Sequence, residues 1–453
     1  MPDPRAEYGR IRAAHLAAVS AALEDHLGRL EWSRAQIERH SGNRLRALLA
    51  YARERSPFHA ARLAGLDPAS AELAAVPVMT KQQAQNEWDA VITVPDLNRA
   101  RAERILAEQQ WFSYTEHNQQ VFSSGGSSGV RGVYVWDWPF FISAACLAWR
   151  MQARDELHDP VAGESRLAVL TAAVPPHAST PLFDVPTRDG MRTTVIEAGA
   201  PFDRVLAEVA AVAPTHIAGY ATVIGRLARA TLAGELAIRP RRVSTNSEPL
   251  LPEDRVAIGQ AWGATIHNLW GSTEIGVQAV GCGYDDGLHV CEDEVILERV
   301  DGDGMPVAPD EPAARTLATG LANRTFPFIR YDLGDEITFL PGRCPCGSAF
   351  ARVADVTGRR DDDFTYTGIT VPASAFRHVL GTDSQVTEYQ VTQTTTGAEI
   401  LVVGQPDPVA LSRALATAMR RYGLRHPTIS VAVVEQLPRR RATGKLTRFV
   451  PLR

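Results

Sequence analysis

The sequence predicts an α/β protein: a large N-terminal domain on a core of parallel βαβ units, plus a small C-terminal α+β lid domain. Two observations carry this. Between about residues 165 and 275, short apolar runs alternate with amphipathic stretches of helical period, the signature of parallel strands joined by crossover helices. Past Gly358 the pattern changes to a charged cluster, two strand-like runs, one helix and a further strand, too short a set for another βαβ layer. At about 150 residues per domain, 453 residues leave room for two or three domains, and 45% apolar with 22% charged side chains is ordinary globular composition.

Residues 1 to about 75 read as helical scaffold, with Leu45, Leu48, Leu49 and Ala52 at helical spacing and Pro57 breaking the period. The core strands are expected in LAVLTAAV, TTVIEAG, THIAGY, RRVSTNS and TIHNLWG. Helices such as FDRVLAEVAAVA and ATVIGRLARATL lie between several of them. Such a core places ligands at the carboxyl ends of its strands. Residues 287 to 357 read as shorter strands with DGDG and PGRCPCG turns. The boundary falls at Asp361, giving domains 1–360 and 361–453; in the second, EYQVTQ, EILVVG and ISVAVV are strands and LSRALATAMRRYG a helix.

The balance of 47 basic and 52 acidic residues gives a net charge of -5, so no global field draws the chain to nucleic acid or to an anionic membrane. Long uncharged stretches such as Val209 to Gly225 are too short and too polar for a spanning helix. The N-terminus lacks the apolar core of a signal peptide, and five cysteines are too few for a disulfide scaffold. The expectation is a cytoplasmic protein that binds neither nucleic acid nor membrane. Among the basic residues only Lys81 and Lys445 are lysines, which singles out both as places where guanidinium does not replace a compact ammonium.

Three segments carry ligand chemistry. Ser123-Ser124-Gly125-Gly126-Ser127-Ser128-Gly129 sits between two strand-like runs, and its glycines, amides and hydroxyls suit a phosphate. Gly125 to Gly129 also fits the G-x-S-x-G elbow of serine hydrolases, yet the following VRGVYVWD alternates like a strand where the elbow needs a helix. Asn268-Leu269-Trp270-Gly271-Ser272-Thr273-Glu274 ends a core strand: Ser272 and Thr273 offer donors to a phosphate, and Glu274 a hard oxygen to Mg²⁺. In Arg330-Tyr331-Asp332-Leu333-Gly334-Asp335 the last carboxylate follows a glycine turn, where it could accept both hydroxyls of a ribose or simply cap nearby amides.

Cys344-Pro345-Cys346, with Cys282 and His289 upstream, makes a four-ligand set suited to structural Zn²⁺. Cys291 competes with His289 for the fourth place, since both lie on one face of LHVCEDE. Reduced core cysteines beside a turn are the plain alternative, and Cys146 reads as core.

Taken in order, these motifs resemble the adenylate-forming superfamily of acyl-CoA synthetases, specifically its phenylacetate-CoA ligase-like branch. The resemblance runs nearly end to end: SPFHAARLAG and LAAVPVMTK at the start, SSGGSSGVRG as phosphate loop, Ser247-Glu248-Pro249 as the segment along adenine, and NLWGSTE as the Tyr-Gly-x-Thr-Glu motif. RYDLGD resembles the ribose motif, TGRRDDDF the Gly-Arg-x-Asp hinge with Arg359 and Asp361, and RRRATGKLTR the loop of the catalytic lysine, Lys445. Departures are Arg131-Gly132 for Pro-Lys in the phosphate loop, Trp270 for the usual Tyr, and Thr365 for a frequent Lys.

The resemblance implies attack of a carboxylate on MgATP, an acyl-adenylate, and transfer to CoA or to another acceptor such as an amine or a carrier-protein thiol. It implies catalytic roles for Lys445, Glu274 and Thr273. It also implies nucleotide contacts from Ser124, Gly126, Ser127, Ser128, Gly129, Ser247, Glu248, Pro249, Asn268, Trp270, Gly271, Ser272, Asp335 and Arg359, with Asp361 as the hinge. Tyr220, Phe141 and His177 lie near segments that could line the acyl pocket, for an aromatic or hydrophobic acid; core packing explains each aromatic as well. A homodimer is compatible with this reading. A serine hydrolase and a noncatalytic nucleotide-binding module remain as rivals.

Overall fold

The computed structural model describes residues 4–124, 131–185, 190–308, 311–356, 358–383, 385–440 and 444–452. Gly126, Ser127, Ser128 and Gly129 lie outside them.

All five expected core strands are present, as Arg166–Thr171, Arg192–Glu197, His216–Tyr220, Arg242–Asn246 and Thr265–Ser272. They pair in parallel through the crossover helices Phe202–Val212, Ala221–Leu232 and Pro252–Trp262. At Thr265–Ser272 the sheet changes character, because the chain turns back through three residues into Gly276–Gly281. From there Leu288–Val290, Arg352–Val353 and Phe339–Leu340 extend it in antiparallel pairing, giving nine strands in all. Gly276 makes the turn back with φ +82, and a Cβ there would meet the Phe140 ring at 3.0 Å, so the reversal needs glycine.

Under the sheet runs a long helix, Trp138–His158, capped by Asp137, whose side chain accepts from the Phe140 amide. Its near-continuous burial explains the apolar FFISAACLAW run: Phe140, Phe141, Cys146 and Trp149 all belong to the main core. The N-terminal helices Pro4–Gly28 and Arg34–Arg55 pack outside. The second of them ends at Arg55, two residues before Pro57, which starts a new short helix.

A separate hairpin, Gln120–Ser124 with Gly132–Trp136, pairs Ser124 with Gly132 at its tip, so the residues between them join two antiparallel strands. Gly125 to Gly129, which fit the hydrolase elbow, lie outside the described residues; the first described element after them is the strand Gly132–Trp136, where the elbow needs a helix. Past Arg360 the chain forms a four-stranded sheet, in the order Thr428–Val433, Gly397–Gly404, Val386–Gln393, Phe449–Val450, packed with helices Ala373–Thr382 and Pro408–Arg421. Its apolar cluster includes Leu251 from the larger part of the chain. The sequence pattern had missed the last, two-residue strand. Among the described residues, no helix is long and apolar enough to cross a membrane.

Candidate functional site

The switch from parallel to antiparallel pairing leaves an open end on the sheet, and a cavity of about 370 Å³ lies there, within the roughly 300–1,000 Å³ usual for ligand sites. Segments far apart in sequence supply its wall. Ser124 comes from the hairpin tip, Ser247, Glu248 and Pro249 from the end of Arg242–Asn246, and Gly271, Ser272, Thr273 and Glu274 from the central reversal. Asp335, Arg359, Lys445 and Lys81 complete it.

Glu274 is fixed by two phenols: its Oε1 accepts from Tyr134 at 2.7 Å and from Tyr331 at 3.1 Å. Burial, and then the charge of Glu274, pushes both phenols up, so they stay protonated and donate. Sequence reasoning had not singled out either tyrosine. Beside the carboxylate, Trp136 Nε1 donates to the Thr273 carbonyl at 2.8 Å, and Ser272 Oγ accepts from the Ile275 amide and Gln278.

Asp335 is held at both oxygens, by Trp270 Nε1 at 2.9 Å and Arg359 Nε at 3.2 Å. Trp270 itself is 8% exposed, belongs to the main core and is not among the residues that line the cavity; its indole instead orients Asp335. Asn268 is likewise turned inward: its amide donates to Asp355 at 2.7 Å and accepts from Thr245 at 2.9 Å. Leu269, Gly271 and Ser272 line the cavity, whereas Asn268 and Trp270 do not, and the strand's register shifts between Trp270 and Gly271.

The acyl-pocket candidates divide. His177 lines the cavity, its pKa pushed down to about 4 by burial and then by Lys445, so it is neutral at pH 7. Tyr220 does not line it. The phenol oxygen accepts from the Ala172 amide at 3.1 Å, while the ring face lies 5.0 Å from Lys445 Nζ, a cation–π support for the ammonium. Phe141 is core, packed on His15 and under the Arg12 guanidinium. The apolar wall is instead built from Trp136, Ala178, Leu182, Phe183, Leu269 and Val277.

Lys81 begins helix Lys81–Asn86, which a Thr80–Gln83 capping box fixes, and its Nζ reaches Ser124 Oγ at 3.5 Å. Arg131 instead pairs with Glu103 at 2.6 Å.

Apart from this cavity, Cys282, His289, Cys344 and Cys346 bring their ligand atoms within 4.8 Å of one another. Cys282 Sγ lies 3.5 Å from Cys344 Sγ, and Cys346 Sγ 3.3 Å from His289 Nε2, spacings suited to a tetrahedral ion. Cys291 is outside this group, buried with its thiol pushed up by burial, so His289 is the one of the two that stands with the other three. The four residues tie together the antiparallel end of the main sheet.

Superposition on solved structures decides the fold. A 2-hydroxyisobutyryl-CoA ligase in its postadenylation state matches with a TM-score of 0.71 and 18% identity over 93% of this chain and 91% of that one. The chain has the fold of the adenylate-forming ligases. The same ligase in its thioesterification state gives 0.57, and an amide bond synthetase from Marinactinospora thermotolerans 0.50, at 16% identity over 94% of this chain and 97% of that one. In sequence, this ligase-fold chain is 29% identical to a phenylacetate-coenzyme A ligase of Thermus thermophilus over 150 residues. That match spans 32% of the chain and 34% of the relative. No family model matches the chain.

Proposed function

We propose that this protein activates a small carboxylic acid with ATP, releasing pyrophosphate and forming an acyl-adenylate, and then passes the acyl group to the thiol of coenzyme A. One observation carries the proposal. Lys445, Glu274 with Thr273, Asp335 and the hairpin tip at Ser124 converge on one cavity, although they lie as much as three hundred residues apart in sequence.

In the first step a carboxylate oxygen attacks the α-phosphorus and pyrophosphate leaves. The Lys445 ammonium, braced on the Tyr220 ring, offsets charge growing on the α-phosphate. Asp335, aimed by Trp270 and Arg359, accepts from the ribose hydroxyls. Glu274, oriented by Tyr134 and Tyr331, would hold Mg²⁺, which when bound neutralises phosphate charge. The apolar wall around neutral His177 favours an aromatic or hydrophobic acid.

In the second step the thiol attacks the acyl carbonyl and AMP leaves. We assign residues 361–453 as a mobile domain turning at Asp361, which withdraws Lys445 once the adenylate has formed. The higher score against the postadenylation state than against the thioesterification state supports an arrangement that precedes the thiol step. The cysteine–histidine cluster is read as a structural zinc site, and the chain as a cytoplasmic enzyme.

Acid-dependent exchange of labelled pyrophosphate into ATP tests the reading. The wild-type chain is expected to catalyse it, and Lys445→Ala to lose it by about a hundredfold or more. Exchange undiminished in Lys445→Ala refutes the proposal.

A further inference from the structure

We propose that Glu248 is a positioning residue that clamps the Lys445 loop in place for adenylate formation, rather than a nucleotide contact. This rests on the assignment of Lys445 to that step. Glu248 follows the strand Arg242–Asn246 through Ser247, whose φ of +64 is a left-handed conformation uncommon outside glycine. Both carboxylate oxygens beyond this bend are engaged. Oε2 accepts from the Thr222 amide at 3.1 Å and its hydroxyl at 2.7 Å, in the first turn of helix Ala221–Leu232. Oε1 accepts from the amide of Leu446, the residue after Lys445, at 2.9 Å. One carboxylate thus ties the sheet-side helix to the lysine loop.

The loop fits its seat by shape as well. Gly444, with φ +70, lies so close to the backbone of Ala198 and Gly199 that a Cβ would stand 2.6 Å from Gly199 Cα. Backbone bonds from Gly444 to Arg440 (2.8 Å) and from Arg440 to Lys445 (3.0 Å) brace the loop, and Arg439 donates to Thr222 Oγ1 at 2.9 Å while pairing with Glu388. A charged acceptor on an amide and a contact that tolerates no side chain are both made only while the loop is docked. Losing either lowers the population of the docked state, and with it the rate of adenylation. Thioester formation, for which Lys445 withdraws, needs neither.

The test separates the half-reactions in Glu248→Gln and Gly444→Ala. Pyrophosphate exchange is expected to fall about tenfold to a hundredfold in each, with the KM for ATP little changed. CoA-dependent consumption of a supplied acyl-adenylate is expected to fall less than about threefold. In a Lys445→Ala background, Glu248→Gln is expected to cost nothing more. Equal losses in both half-reactions, or a raised KM for ATP as the main effect, overturn the clamp. Unchanged exchange in Glu248→Gln beside lost exchange in Lys445→Ala also overturns it and leaves the function standing; retained exchange in Lys445→Ala removes both.

Discussion

Trp270→Phe isolates the pairing between an inward-facing indole and the carboxylate assigned to ribose. The substitution keeps an aromatic ring in the core and deletes the Nε1 donor that holds Asp335 Oδ2 at 2.9 Å. Hydrogen bonds to a charged group contribute about 1.5–3 kcal/mol, and Arg359 still holds the other oxygen, so about 1–2 kcal/mol of orientation is lost. That corresponds to a roughly five- to thirtyfold rise in the KM for ATP. Pyrophosphate exchange measured with ATP and with 2′,3′-dideoxy-ATP supplies the assay. The penalty is expected with ATP and absent with the analogue, whose sugar has no hydroxyls for Asp335 to accept from. An equal penalty with both nucleotides would show that Asp335 does not read the ribose.

Two further outcomes are expected. Protein purified without chelator should carry about one zinc per chain, and a Cys344→Ser, Cys346→Ser double variant should lose the metal together with roughly 5 °C or more of Tm; metal-free wild-type protein refutes the site. Burial is the main cause that pushes His26 and His59 down to about 3, so both stay neutral in the folded chain while the unfolded chain protonates them near 6.5. Their contribution to stability is therefore present above about pH 6.5 and is lost as the pH falls towards 3, at up to roughly 2.7 kcal/mol per pH unit for the pair. Urea midpoints that do not move between pH 7 and 4.5 would contradict this.

The parallel half of the sheet was legible because each strand is a short apolar run bounded by an amphipathic helix, a pattern that survives without knowledge of tertiary contacts. The cavity was legible as a set of motifs for a related reason: Ser272, Thr273 and Glu274 sit at a strand end, where an α/β ligand site must lie. Side-chain direction was not. Asn268 and Trp270 share a face by strand alternation, but which face meets the cavity depends on the antiparallel extension through Gly276–Gly281, which no local signal announces. Tyr134 and Tyr331 escaped notice because they reach Glu274 from 140 and 57 residues away. That His289 rather than Cys291 stands beside Cys344 and Cys346 depends on where that turn folds back, again a long-range fact.

Both lysines of this arginine-rich chain stand on the wall of one cavity. An acyl-adenylate is itself an acylating agent, and guanidinium, fully protonated at neutral pH, is a far poorer nucleophile than an amine. The mixed anhydride of the proposed reaction, on escaping from the site, would therefore meet a protein surface almost without ε-amino targets. By the same chemistry, side-chain acylation of this chain by an added amine-selective reagent is directed to the two positions that line the cavity.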